Sequence, residues 1–236
     1  MLPCRYLPHC VKYSAVRAVS WGEGSRNFVT SSDPFTSREQ GLISIFDFPE
    51  DDGHYHTAET APLHTPRQEI VVDDLDKATC LGWTVVNQHI LAGFDSGTMI
   101  KYDAETGQEV VRRRLHEDRV NSLGFDADKT LFVTASKDTT AKLVDPVNLE
   151  VLKTFRTDRP VNAAVIHPLK PHVLLGGGQD AMSVTVTAAG QGKFETRFFH
   201  YIYEEEFGRV KGHFGPVNAL GIHPQGKSYA SGAEDG

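Results

Sequence analysis

Histidine, serine and aspartate stand together twice in this 236-residue chain, as His116, Ser136 and Asp138 and again as His213, Ser231 and Asp235. These side chains are the parts of an activated nucleophile, in which an imidazole takes a hydroxyl proton and a carboxylate orients the ring. No Gly-x-Ser-x-Gly elbow accompanies either set, so nothing lifts the serine onto an exposed turn where a substrate would meet it. The other chemistry open to the same groups is structural: buried polar side chains that satisfy one another, each donating or accepting what burial would leave unpaired. That reading predicts no catalytic residue and assigns the six side chains to the hydrogen-bond networks of a folded unit.

Three other clusters invite chemistry and are read structurally. Gly176, Gly177 and Gly178 look like a phosphate cradle, but neither a Gly-Lys-Ser/Thr sequence nor a helix start follows them, so they are expected to let adjacent sheets approach. His54, His56 and His64 lie in a polar loop without cysteine or carboxylate at ligand spacing, which predicts no metal site and no cofactor. Arg112, Arg113 and Arg114 read as the solvated edge of an outer strand, with no direct nucleic-acid binding expected.

The elements that hold these residues repeat. From His116 to Phe155, four runs of about five residues rich in Val, Leu, Phe and Thr are separated by Asp, Asn, Lys and Pro, the pattern of a four-stranded antiparallel meander. Apolar side chains are expected on both faces of the strands: Leu123 and Phe125 alternate with Val120 on one strand, and Leu131 and Val133 with Phe132 on the next. A sheet greasy on both sides must be stacked between others of its kind. The order recurs about every 42 residues, giving units at about 14–49, 70–115, 116–156, 157–211 and 212–236, the last incomplete and cut in mid-sheet. Residues 1–13 are an irregular lead-in, 34–40 an insertion in the first unit, and 50–69 a polar, proline-bounded loop. In the fourth unit the third strand is expected at Met182–Val186, with an outer strand drawn from the aromatic and acidic stretch up to Lys211. An aspartate is expected in each turn after the second strand: Asp33, Asp95, Asp138, Asp180 and Asp235.

Composition narrows the classes. Hydrophobic content of 39% and charged content of 23% exclude disorder of the whole chain. A net charge of −7 repels nucleic acid and anionic membrane, and no apolar run reaches the roughly 20 residues that a membrane helix needs. Cys4, Cys10 and Cys80 form an odd set with no pairing pattern, which favours a reducing compartment, and the prolines near the start interrupt any signal-peptide core.

A four-strand repeat of this length, with Gly212-His213 before a first strand and Phe46-Asp47, Tyr102-Asp103 and Val144-Asp145 closing third strands, resembles the WD-repeat β-propellers. Within them the strings Phe132–Leu143, Leu175-Gly-Gly-Gly-Gln-Asp-Ala-Met182, Gly192–His200 and Glu204–Pro216 closely resemble the family of subunit i of eukaryotic translation initiation factor 3, from about Ser14 onward. The resemblance implies an all-β propeller, here about five of seven blades. It implies a non-enzymatic, cytoplasmic scaffold that binds a C-terminal helix of subunit b and a segment of subunit g and acts at the small ribosomal subunit. Asp128 and Asp145, on exposed turns of the third unit, are the expected contacts for a basic or amphipathic partner helix. The alternatives are another WD-repeat adaptor in signalling, which needs a basic cluster on the central face, and a propeller hydrolase, which needs a convergent polar pocket.

Overall fold

The computed structural model describes residues 15–33, 40–47, 66–72, 76–178 and 194–235. The lead-in, residues 34–39, the histidines His54, His56 and His64, Met182–Val186 and Asp180 lie outside the described residues.

The described chain is all-β. The first sheet holds β1 (Val16–Trp21), β2 (Asn27–Ser32), β3 (Leu42–Asp47) and β4 (Gln68–Val71). The second holds β5 (Ala78–Trp83), β6 (His89–Phe94), β7 (Thr98–Asp103) and β8 (Glu109–Arg114). The third holds β9 (Val120–Phe125), β10 (Phe132–Ser136), β11 (Thr140–Asp145) and β12 (Glu150–Arg156). The fourth holds β13 (Val161–Ile166), β14 (His172–Gly177), β15 (Glu195–His200) and β16 (Glu205–Lys211), and β17 (Val217–Ile222) pairs with β18 (Tyr229–Ala233). Each sheet is an antiparallel meander in chain order. Among the described residues no helix is long and apolar enough to cross a membrane.

The core lies between sheets rather than within one. Val29, Ile43 and Ile45 of the first sheet meet Leu81, Trp83, Ile90 and Phe94 of the second. Leu91 and Met99, on the other face of the second, meet Val120, Phe132 and Val144 of the third. Val133, Leu143 and Phe155 meet Val161, Val173, Leu175 and Phe199 of the fourth. The two-residue period of a strand puts Phe132 on one face and Val133 on the other, so every interior sheet fills two cores. The first strand of each sheet packs against the first strand of the next, which runs the stack around a common axis.

Each of these inner strands carries a bulge at its second residue: Arg17, Thr79, Asn121, Asn162 and Asn218. Freed from the ladder, three of these side chains reach from one sheet to the next. Thr79 donates to the Val120 carbonyl, Asn121 Nδ2 to the Val161 carbonyl at 2.8 Å, and Asn162 Nδ2 to Asn218 Oδ1 at 2.8 Å.

Two strands differ from the sequence expectation. The third strand of the fourth sheet is β15, not Met182–Val186: Glu195–His200 pairs with β14 and sets Phe199 opposite Val173. Met182–Val186 alternates with serine and threonine and offers one apolar face, whereas adjacent Phe198 and Phe199 supply two. Phe199 reaches Phe155 of the third sheet at 5.5 Å, and Phe198 reaches Tyr229 of the last at 5.4 Å. The outer strand of the first sheet is Gln68–Val71, within and just past the stretch read as loop, because Ile70 opposite Ile43 completes the first core.

Candidate functional site

Two rims bound the stack. One carries the turns between second and third strands together with the connections between sheets; the other carries the remaining turns of each meander.

On the first rim His116 lies just before β9 and is fully buried. Its Nδ1 faces Asp138 Oδ2 at 2.9 Å and Thr140 Oγ1 at 3.1 Å, and its Nε2 faces Thr134 Oγ1 at 2.8 Å. An ionised carboxylate only accepts, so Nδ1 carries a proton and donates it to Asp138. Burial pulls the imidazole below its usual value, against the opposing pull of Asp138. Burial pushes the Asp138 carboxyl up, but hydrogen bonds from Thr140, the Glu117 N–H and His116 outweigh it and hold the group below the carboxylate range. Ser136, expected as the hydroxyl partner, does not fill that role. It donates to the Asp118 carbonyl at 3.1 Å and accepts from the Asp138 N–H at 3.1 Å, fixing the turn instead of the ring.

The second set has the same wiring. His213 Nδ1 faces Asp235 Oδ1 at 3.2 Å and Nε2 faces Ser231 Oγ at 2.8 Å. The Phe214 N–H, 2.6 Å from Asp235 Oδ2, holds that carboxyl below its usual range. The hydroxyl is 18 residues after the histidine in both sets and the carboxylate 22. That equality is the signal that points to Thr134 rather than Ser136. The wiring is also that of a hydrolytic triad, but at His116 it is sealed from any substrate, and the same wiring at His213 occupies the same place in its own sheet.

Asp33 and Asp95 do follow their second strands as expected, but strand register places them differently from Asp138. Ser136 pairs with Val120 as Phe94 pairs with Ala78 and Ser32 with Val16, so Asp138 corresponds to Ser96, and Asp33 and Asp95 fall one residue early. These two carboxylates pair with bases instead: Asp33 with Arg17 at 2.6 Å and, at 4.0 Å, with Lys77 of the next sheet, and Asp95 with Arg119 of the next sheet at 3.2 Å. In the second sheet the polarity reverses, and the turn hydroxyl of Ser96 donates to Asp76 Oδ2 at 2.6 Å. Gly176 and Gly177 serve close approach: a Cβ would lie 2.7 Å from Val217 at the first and 2.1 Å from the Pro160 carbonyl oxygen at the second. Among the described residues no group of three His, Cys, Asp or Glu is placed to hold a metal ion.

The opposite rim holds the two expected partner contacts. Asp128 is exposed in the turn between β9 and β10. Asp145 ends β11 and accepts from the Val147 N–H at 2.7 Å, as Asp103 accepts from Glu105 and Thr106 at 3.0 and 2.7 Å one sheet earlier. Lys101, buried in β7, reaches the same turn and donates to the Pro146 and Val147 carbonyls. Sequence reading missed it because a lysine in a strand normally faces water. Three of the four described outer strands begin acidic at this rim (Glu109, Glu150, Glu205) and end basic at the other (Arg114, Arg156, Lys211), β4 being the exception. The arginine run is partly neutralised: Arg112 grips Glu109 with both Nε and Nη2, and Arg114 donates to the His116 and Glu117 carbonyls.

Four-stranded meanders stacked inner strand on inner strand, with His–Asp pairs at the turn after the second strand, form the arrangement of a WD-repeat β-propeller. Comparison with known proteins goes further. The model of the family described as EIF3I matches residues 5–236. The chain is 46% identical over 223 residues to eukaryotic translation initiation factor 3 subunit I of Homo sapiens, covering 94% of this chain and 66% of the human protein. It is 43% identical over 226 residues to that of Nematostella vectensis (94% and 65%) and 52% identical over 160 residues to that of Bombyx mori (68% and 49%). The chain therefore belongs to the family of eukaryotic translation initiation factor 3 subunit I, and it spans about half to two thirds of the length of these relatives.

Proposed function

We propose that this chain is a non-catalytic scaffold element of the translation initiation factor 3 complex, working in the cytoplasm. Family membership supports the complex. What supports the scaffold role is that the triad-like polar groups are consumed by the fold, while a rim of carboxylates at Asp103, Glu109, Asp128, Asp145 and Glu150 stands at the strand ends. A row of like charges on rigid turns suits a basic face of an amphipathic helix, whose approach it accelerates and orients. In this reading the C-terminal helix of subunit b lies on that rim beside Asp128 and Asp145, a segment of subunit g occupies another surface, and contact with the small ribosomal subunit is indirect.

Asp145 serves its own turn, so the test must separate charge from fold. Binding of a peptide carrying the subunit b C-terminal helix is compared for wild type, Asp128→Lys, Asp145→Asn and Asp145→Lys. Asparagine keeps the Oδ1 acceptor for the Val147 N–H and removes the charge. Weakened binding by Asp145→Asn as well as by Asp145→Lys supports the site, and wild-type binding by all three removes it.

A further inference from the structure

The first two joints between sheets close with one device at the first rim, and the third joint reverses it. Ser32, Phe94, Ser136 and Gly177 hold equivalent register places at the ends of β2, β6, β10 and β14, so the residues that follow, Asp33, Asp95, Lys137 and Gly178, are equivalent too. Their backbone N–H groups donate in turn to the Ala15, Lys77, Arg119 and Pro160 carbonyls. Across the first joint Asp33 meets Lys77 at 4.0 Å, and across the second Asp95 meets Arg119 at 3.2 Å. At the third joint Lys137 takes the place of the carboxylate and Pro160 that of the base, so no such pair can form. The position before the base changes sign as well: Asp76 and Asp118 ahead of the second and third sheets become Arg159 ahead of the fourth.

The fourth sheet also lacks the histidine of its neighbours. Thr157 stands four residues before Val161, as His116 stands before Val120 and His213 before Val217. Leu175 follows Thr157 by 18 residues, as Thr134 and Ser231 follow the two rings. With no imidazole between them, Thr157 and Leu175 bound an open cleft whose polar lining includes Arg159, Glu195, Arg197 and the backbone of Gly177 and Gly178. Glu195 is buried and held by Arg209 at 3.3 Å and Lys211 at 3.4 Å, and buried Arg197 pairs with Asp158. Two cations beside the cleft have no such counter-charge: among the described residues, exposed Lys137 and exposed Arg156 pair with no carboxylate.

We propose that this joint is a docking site for a short acidic segment of a partner protein, which brings from outside the carboxylates that Asp33 and Asp95 supply at the other two joints. One acidic side chain enters the cleft beside Arg159 and Arg197, and its neighbours along the segment lie over Lys137 and Arg156. A nucleic acid suits the joint less well. Its unbroken row of phosphates would run on to Glu117 and Asp118 at the adjoining joint, on a chain of net charge −7, whereas a peptide can confine its charges to one joint. The site lies between two four-stranded sheets and at the opposite rim from Asp128 and Asp145, so it stands apart from the scaffold reading.

Fluorescence anisotropy tests this with a labelled peptide of glutamate–alanine repeats, the same peptide with lysine for glutamate, and an oligouridylate of equal length. The variant Lys137→Asp with Arg159→Asp gives each position the residue it carries at earlier joints, and circular dichroism checks its folding. Wild type is expected to prefer the glutamate peptide to both other probes, with an affinity that falls as salt rises, and the double variant to bind it about tenfold more weakly. Lys137→Gln with Arg156→Gln, at two exposed side chains with no ion pair to lose, is expected to weaken binding about threefold and decides the matter if the first variant does not fold. No preference for the glutamate peptide, tighter binding of the oligouridylate, or unchanged affinity in a folded variant overturns the proposal.

Discussion

Replacement of His116 by alanine tests whether the imidazole is a structural member of its sheet. The substitution removes a fully buried ring that bridges Asp138 and Thr134, two side chains on different strands and turns. Asp138 keeps the Glu117 N–H at 3.0 Å and the Thr140 N–H and hydroxyl at 2.9 and 2.6 Å, so its charge is not stranded. The loss is then one hydrogen bond to a charged group, about 1.5–3 kcal/mol, plus an unfilled space costing of the order of the smaller large-to-small core substitutions, about 2 kcal/mol. Allowing for relaxation, about 3 kcal/mol is expected, which is on the order of a hundredfold in a local opening equilibrium. Hydrogen exchange measured by mass spectrometry reads this directly, as a fall of that size in the protection of peptides from β9 to β11 with little change in the first sheet. His213→Ala, made at a ring 27% exposed, is expected to cost clearly less. Equal losses at the two sites, or unchanged protection after His116→Ala, would refute the claim that burial sets the worth of this network.

Three further outcomes follow from the same geometry. His116 and His172 both have values held below that of a free imidazole, chiefly by burial, with His200, His167 and Lys170 adding to the effect at His172. The unfolded chain therefore binds more protons, and the stability these groups contribute is complete above about pH 6.5 and is lost as pH falls toward their folded values; urea midpoints at pH 7.5 and 5.5 check it. Gly177→Ala places a Cβ 2.1 Å from the Pro160 carbonyl oxygen and is expected to cost about 1–3 kcal/mol by overpacking, whereas Gly208→Ala, with nothing within 4 Å, leaves the melting temperature nearly unchanged. Burial pushes the Cys80 thiol up to about 12, so a thiol reagent at pH 8 is expected to label it only at the rate at which the second sheet opens.

The sequence disclosed most where one residue type had a single use, and least where two segments satisfied the same local pattern. Alternation over β9 to β12 implied a sheet apolar on both faces, and from that alone the stacking followed, because no other arrangement removes Phe132 and Val133 from water together. The third strand of the fourth sheet was not legible in the same way. Met182–Val186 carries the alternation of a strand with one apolar face, whereas Glu195–His200, with adjacent Phe198 and Phe199, serves two, a requirement imposed by Phe155 and Tyr229 on neighbouring sheets. The hydroxyl of the histidine network shows the same limit on a smaller scale. Ser136 and Thr134 lie two residues apart, hence on the same face of β10, and either side chain carries the needed oxygen. Only the register decides: Thr134 stands opposite Leu123 in the body of the strand, under the ring, while Ser136 stands at its end, where the bulge at Asn121 brings it to the turn. A bulge shifts every later partner by one residue, and its presence is written in no single residue. It becomes readable when several copies are aligned on their structural partners, since Thr79, Asn121, Asn162 and Asn218 all fall at the second place of an inner strand and all but the last hand a hydrogen bond to the next sheet. The same alignment sets Asp33 and Asp95 one residue before the place of Asp138 and in ion pairs with Arg17 and Arg119, so that one slip of register changes a turn cap into a link between charged side chains.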